Sequence, residues 1–160
     1  MADDVVLNFK GLDKLMEAFK DPPHVRVGIL GGKMRQPAEN DPFGEHVKTN
    51  AEVGAIHEFG TDKFPVRSFL RIPIAKNLQT ILKDETNAFD KETLAAVIEK
   101  GDITDWMKIV GAAAELAVSD AFDTGGDGAW IPSNMEHKKN HQTLVETAQL
   151  RRSISSEVVK

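Results

Sequence analysis

Four groups of residues have the types and spacing that chemistry requires. His57-Glu58 forms the opening of the helical zinc-protease motif, in which two histidines one turn apart hold the ion and the glutamate serves as general base. The second histidine would fall at position 61, which is Thr61, so the ligand pair is missing. His137 and His141 stand at i, i+4 and would share a helix face. Lys138, Lys139 and Asn140 between them make a polar, cationic stretch, and no third ligand is near in sequence, so solvated loop histidines are the simpler reading. Gly125-Gly126-Asp127-Gly128 is glycine-rich but lacks the Lys-Ser/Thr of a phosphate loop, and Asp123 and Asp127 lack the twelve-residue calcium pattern. Arg67, Arg71 and Lys76 form a basic cluster around Phe69 and Leu70. Either the arginines are solvated while the apolar pair packs inward, or the cluster is a partner-facing anchor.

Composition narrows the chemistry further. The chain has 160 residues and no cysteine, which removes disulfides, thiolate metal sites and cysteine nucleophiles. There is no tyrosine, and no serine lies in a nucleophile-elbow pattern. No catalytic set, metal or cofactor is therefore expected, and the chain is read as a non-enzyme. With 20 basic and 25 acidic residues the formal charge is −5, which disfavours phosphate binding. An apolar fraction of 41% is enough for one core, so residues 1–160 are expected to form one domain. No apolar run approaches the roughly 20 residues of a membrane span, and the first ten residues lack the basic and apolar regions of a signal peptide. The expectation is a soluble protein made in the cytoplasm.

The elements that must position these residues follow from periodicity. Val5, Leu7 and Phe9 alternate as in a short strand, and Val25, Val27 and Ile29 as in a second. Leu12, Leu15, Met16 and Phe19 make a two-turn helical stripe, stopped by Pro22 and Pro23. Residues 31–48 show no periodicity and predict a long mobile loop. Thr49 and Glu52 fit a capping box that opens a helix over 49–59, with Val53, Ile56, His57 and Gly60 on one face. Phe59 is expected to be buried, and Gly60 to end the helix in a left-handed cap. A long helix is predicted from about Ser68, with Ile74, Leu78, Ile81, Leu82 and Phe89 as its stripe; the pattern continues through Leu94, Ala95, Val97 and Ile98 to Gly101. A second long helix is predicted over 104–122, its Gly111 and Ala112 to Ala114 allowing close approach of a neighbouring helix. Residues 123–142 are expected to be a second mobile loop, with Leu144 and Val145 anchoring the tail, and Ile154, Ser156 and Val158 close the chain as a strand. The predicted fold is α+β: a small, mostly antiparallel sheet of about 3–4 strands packed against several helices, two of them long.

Two blocks carry a family resemblance. His57, Glu58, Phe59, Gly60 and Thr61, followed by Pro65, Arg67, Phe69, Leu70 and Arg71, resemble the tail-completion and minor tail proteins of long-tailed bacteriophages and prophages, the lambda minor-tail-protein-Z-like group. Trp130 and Pro132, then Lys138 and Lys139, then Leu144, Thr147, Leu150, Arg151, Ser153 and Ile154, are similar to that family's closing segment. Ala148 stands where the family usually has glycine, at a turn for which alanine is poorly suited. The motifs recur in order over nearly the whole chain.

The resemblance implies a structural virion part that completes the tail or joins it to the head at the neck. It implies a homo-oligomeric ring whose acidic rim lets DNA pass without specific binding, and other neck and tail proteins as partners: connector, tail terminator and tail tube. Such a protein would be found in the bacterial cytoplasm during assembly and then in the particle, with no membrane partner. Residues 67–71 are the expected contact surface, with Glu52, or Asp84 and Glu85, of a neighbour as the opposite charge. An enzyme of morphogenesis or a small nucleic-acid-binding module is the alternative.

Overall fold

The computed structural model describes residues 10–32, 34–36, 43–44, 46–132 and 148–160. The chain order is α1 (Lys10–Ala18), β1 (His24–Ile29), α2 (Asn50–Phe59), α3 (Arg71–Asp84), α4 (Lys91–Lys100), α5 (Thr104–Thr124), α6 (Gln149–Arg152) and β2 (Ile154–Val159). The fold is thus mostly helical, and the expected 3–4-stranded sheet is corrected to a two-stranded antiparallel ribbon among the described residues. Its register sets Val25 opposite Val158 and Val27 opposite Ser156. The strand expected over 5–9 lies outside the described residues, as do His137, His141, Leu144 and Val145.

A lone ribbon cannot bury both faces, so a helix must cover one. That helix is α5. Its small residues Ala113, Ala114, Ala117 and Ala121 are buried, and it touches α3 as well as both strands. Gly111 marks the closest approach, and the neighbour there is the ribbon rather than the expected helix. A β-carbon added to Gly111 would lie 2.6 Å from the Ser156 hydroxyl and 3.0 Å from the Ser156 Cβ. Around α5 lie two clusters. Phe69, Phe122, Trp130 and Leu150 fill one end, and Ile81, Leu82, Ala88, Ala113 and Ala117 the other.

The predicted long helix from Ser68 is broken after Asp84, leaving α5, with 21 residues, as the one long helix among the described residues. The Thr86 hydroxyl donates to the Leu82 carbonyl and accepts from the Ala88 amide, turning the chain. Ala88 then drops into the core, where its carbonyl accepts from the Trp106 indole at 2.9 Å. Phe89 is consequently half exposed rather than part of the α3 stripe.

The described parts of the two segments expected to be mobile loops carry defined hydrogen bonds. Arg35 donates its amide to the Lys48 carbonyl, and Gln36 exchanges two hydrogen bonds with the Gln149 side chain. Beyond α5 the Gly126 amide returns to the Ala121 carbonyl and the Trp130 amide to the Gly125 carbonyl, so residues 125–130 wrap tightly over the helix end. The α1 stripe is not core either: Leu12, Met16 and Phe19 are solvent-exposed, and Ala18 alone among the helix's described side chains is buried.

Ala148 adopts φ 51°, ψ 8° ahead of α6, the left-handed conformation that its β-carbon opposes. Ala148→Gly should raise stability by about 0.5–1 kcal/mol, because relief of the β-carbon clash exceeds the extra chain entropy of glycine. Urea unfolding of both proteins measures this, and a destabilised variant would contradict the assigned conformation.

Candidate functional site

The residues of the first motif block converge on one carboxylate. Glu58 lies in the last turn of α2, where the negative end of the helix dipole disfavours an acid. Its compensation comes from another helix. α3 has no acidic residue in its first turn, and its Leu70 cap makes no side-chain cap bond. The Glu58 carboxylate supplies what is missing. One oxygen accepts the amides of Phe69 and Leu70, each at 3.0 Å. The other accepts the Ser68 hydroxyl at 2.7 Å, the Arg71 amide at 3.1 Å and the Arg71 Nε–H at 2.9 Å. Ser68 Oγ in turn accepts the Ile72 amide, Pro73 has no N–H, and the Ile74 amide begins the helical ladder at the Leu70 carbonyl. Every free donor of the α3 N-terminus is thereby satisfied.

The carboxylate is buried, with 5% of its side chain exposed. Burial pushes its pKa up, but the Ser68 hydroxyl, the Leu70 and Arg71 amides and the Arg71 guanidinium together outweigh that and hold it below the usual glutamate range. Glu58 is therefore an acceptor fully committed to the fold, and the zinc-protease reading of His57-Glu58 loses its general base.

Neighbouring motif residues reinforce this junction. The His57 carbonyl accepts the Arg67 amide at 2.7 Å, and the imidazole is buried beside the rings of Phe43 and Phe64. Thr61 and Phe64 exchange backbone bonds across a tight turn, which brings Pro65 and the extended segment back along α2. Gly60 takes φ 74°, ψ 172°, so it ends the helix but not in the expected left-handed cap. This is backbone that glycine alone occupies readily, and a β-carbon here would lie 2.8 Å from Val66 Cγ2.

Phe59 is corrected from buried to exposed, at 63%. The Arg71 guanidinium lies 4.7 Å above its ring while its Nε binds Glu58, so one cation serves a ring and a carboxylate together. The buried face of α2 is instead Asn50, Gly54, His57 and Glu58, a polar stripe rotated from the expected apolar one. Of these, Glu58 meets the α3 N-terminus, Gly54 faces Ile29, Phe69 and Leu150, and His57 lies beside the rings of Phe43 and Phe64.

Arg67 reverses its expected orientation. It is buried, with its Nε–H donating to the Ile131 carbonyl at 2.9 Å and an Nη to the Pro132 carbonyl at 3.5 Å, and burial pushes its pKa down. It ties the extended segment to the strap leaving α5. Trp130 completes that tie by donating from its indole to the Ser68 carbonyl. Glu52, the expected counter-charge of a neighbour, is already occupied by the Lys48 and Thr49 amides in its own capping box.

The second motif block meets the first in the core. Leu150 and Phe69 belong to one cluster, with Leu70 and Ile154 packed against it, and a β-carbon at Gly54 would fall between Ile29, Phe69 and Leu150. Arg151 grips Asp123 with two nitrogens, at 2.6 and 2.8 Å, and donates to Ser119, fastening α6 to α5. The Ser153 hydroxyl turns back to the Leu150 carbonyl. Among the described residues no three His, Asp or Glu side chains gather in a way that could hold a metal ion, and no helix is long and apolar enough to cross a membrane. No family model, curated protein or solved structure matches the chain.

Two substitutions test the junction. Gly60→Val should cost about 1–3 kcal/mol, through strained backbone and the clash with Val66; an unchanged melting temperature would refute the assigned geometry. Glu58→Gln should destabilise by about 3 kcal/mol near pH 7, since it weakens several buried hydrogen bonds at once. The pH dependence has a definite sign. A folded pKa below the unfolded value of about 4.3 gives stability that is complete above that pH and lost as pH falls through the folded pKa. The gap between wild type and Glu58→Gln should therefore narrow on acidification from pH 7 to pH 3, read by denaturant unfolding at each pH.

Proposed function

We propose that the chain is a structural subunit of a tailed bacteriophage or prophage particle, acting in tail completion or at the head–tail neck. The observation that supports this reading is the meeting of the two motif blocks. Residues that resemble the tail-completion family in two separated parts of the sequence are the residues that hold α2, α3, α5 and α6 together. Glu58 binds residues 68–71, and Leu150 packs with Phe69. A resemblance carried by the contacts that define a fold is more informative than one carried by scattered surface positions.

The nucleic-acid alternative requires Arg67 and Arg71 as free cations. Arg67 is buried on two carbonyls, and Arg71 is paired with Glu58 and stacked on Phe59. The morphogenesis-enzyme alternative requires His57 and Glu58, and the Glu58 carboxylate is saturated by hydrogen bonds. In the favoured reading the partners are further copies in a ring and the connector, tail terminator and tail tube proteins. The site of action is the bacterial cytoplasm during assembly and the particle afterwards.

Deleting the reading frame from the genome that encodes it, then inducing particle production, should yield filled heads with tails unjoined or unfinished and a collapse of infectious titre. Supplying the chain in trans should restore joined particles, and immunogold label should fall at the neck or tail. Normal particle morphology and titre after deletion would refute the proposal.

A further inference from the structure

The sequence has one Asp-Gly step and no Asn-Gly step, and the Asp-Gly step is Asp127-Gly128. An aspartate followed by glycine is prone to react with its own main chain, because glycine has no side chain to keep its amide nitrogen away from the preceding carboxyl. Whether a fold permits the reaction depends on what holds the two groups. Asp127 and Gly128 are both exposed, at the outer turn of the strap that follows α5. Among the described residues the Asp127 carboxylate touches only the Thr124 hydroxyl, at 3.4 Å, longer than a firm hydrogen bond. The space beside Gly128 is open, with no atom within 4 Å of the place a β-carbon would take. Asp127 also sits at φ 57°, in the left-handed region that an L-residue occupies at a cost. One contact opposes the reaction: the Gly128 amide donates to the Thr124 carbonyl at 3.1 Å. Thr124 is itself exposed at the helix end, where an isolated backbone bond opens readily.

The chain on either side of this step is closed on itself. The Ala129 amide donates to the Gly126 carbonyl at 3.1 Å and the Trp130 amide to the Gly125 carbonyl at 3.0 Å, so both bonds span the Asp-Gly step. Trp130 is buried against Phe122 and donates its indole to the Ser68 carbonyl. These closures fit the number of main-chain atoms between their ends. Isoaspartate routes the main chain through the aspartate β-carbon and lengthens it by one atom, so closures fitted to the shorter chain no longer fit.

We propose that Asp127-Gly128 is a self-modification site, at which Asp127 converts to isoaspartate in the folded protein and loosens the strap over the end of α5. In the first step the Gly128 nitrogen bonds to Asp127 Cγ and gives up its proton, and Cγ releases one oxygen as water, closing a cyclic imide. In the second step water adds to the main-chain carbonyl carbon of Asp127, and the bond from that carbon to the Gly128 nitrogen breaks. The chain then runs through Cγ, the former main-chain carbonyl is a free carboxylate, and the water lost is regained, so no other reactant is needed. The site depends on the strap alone and is independent of the proposed place in a phage particle.

The full chain is incubated at neutral pH and physiological temperature in water enriched in heavy oxygen. The peptide containing Asp127 should take up heavy oxygen and become a substrate for a protein isoaspartyl methyltransferase. With one exposed backbone bond to open, the rate should lie within about tenfold of that of a synthetic peptide spanning residues 124–130. A reaction that waited for global unfolding would be slower by about a thousandfold or more. The converted protein, separated from the unconverted form, should lose amide-exchange protection at Ala129 and Trp130. Asp127→Gly suits the left-handed backbone and has no Cγ, so it should stay unlabelled at that position and keep its protection through the same incubation. An absence of isoaspartate at position 127, conversion slower than the tenfold range, unchanged protection in the converted form, or the same loss of protection in Asp127→Gly would overturn the proposal.

Discussion

A buried glutamate placed at the wrong end of its own helix organises this molecule. Glu58 meets an electrostatic penalty in the last turn of α2 and loses its hydration on burial. Both costs are offset because the same carboxylate is the anion that the N-terminus of α3 lacks. The two helix ends thus solve each other's problem, and neither solution exists until the other helix is in place. The interaction is orientational as well as attractive. Two oxygens accept five donors from four consecutive residues, which fixes where α3 starts and which way it leaves.

The direction of α3 sets what α5 can do. With its start fixed beside Phe69 and its end turned by Thr86, α3 lies along the alanine side of α5, where Ile81 and Leu82 meet Ala113 and Ala117. The opposite side of α5 is left to the ribbon, and there Gly111 gives Ser156 room. A ribbon of two strands is stable here only because a 21-residue helix covers it, and that helix is held in turn by the strap of residues 125–132 under Trp130 and Arg67. Polar closures surround each apolar cluster: Arg67 on Ile131, Arg151 on Asp123 and Trp106 on Ala88.

What the sequence makes legible is what depends on neighbours in the chain. The Thr49–Glu52 capping box, the alternation of Val25 and Val27, and the long small-residue face of α5 are all encoded within a few residues, and each forms. The role of Glu58 is not local, since its donors lie 10–13 residues away across a turn. A signal exists all the same: an acid in a last helical turn, followed by a helix with no acid in its first. Periodicity also misreads the break at 85–90, because Leu94, Val97 and Ile98 keep a helical spacing whether or not the helix is continuous. The alternating apolar residues at 5–9 satisfy a strand pattern without naming a partner strand, and they lie outside the described residues. Amphipathicity says that the α1 stripe wants cover, but not that the cover comes from its own chain.

The fate of the arginines changes what an assembly surface on this protein would be made of. In sequence, Arg67, Arg71 and Lys76 form the candidate partner-facing cluster, and Arg151 belongs to the closing motif block, all set in an acidic chain. In the structure Arg67 neutralises carbonyl dipoles, Arg71 serves Glu58 and Phe59, and Arg151 serves Asp123. Their charge is engaged inside the fold, and an exposed ion pair adds little to it. What these closures leave at the surface beside them is apolar: Phe59 under Arg71, Val66 beside Gly60, and Ile131 on the strap that Arg67 holds, each more than half exposed. Association on this side of the molecule would accordingly draw on buried area and the Phe59 ring rather than on charge, and would respond weakly to salt. The arginines would still matter to it, indirectly, because they hold the segments on which those apolar side chains stand.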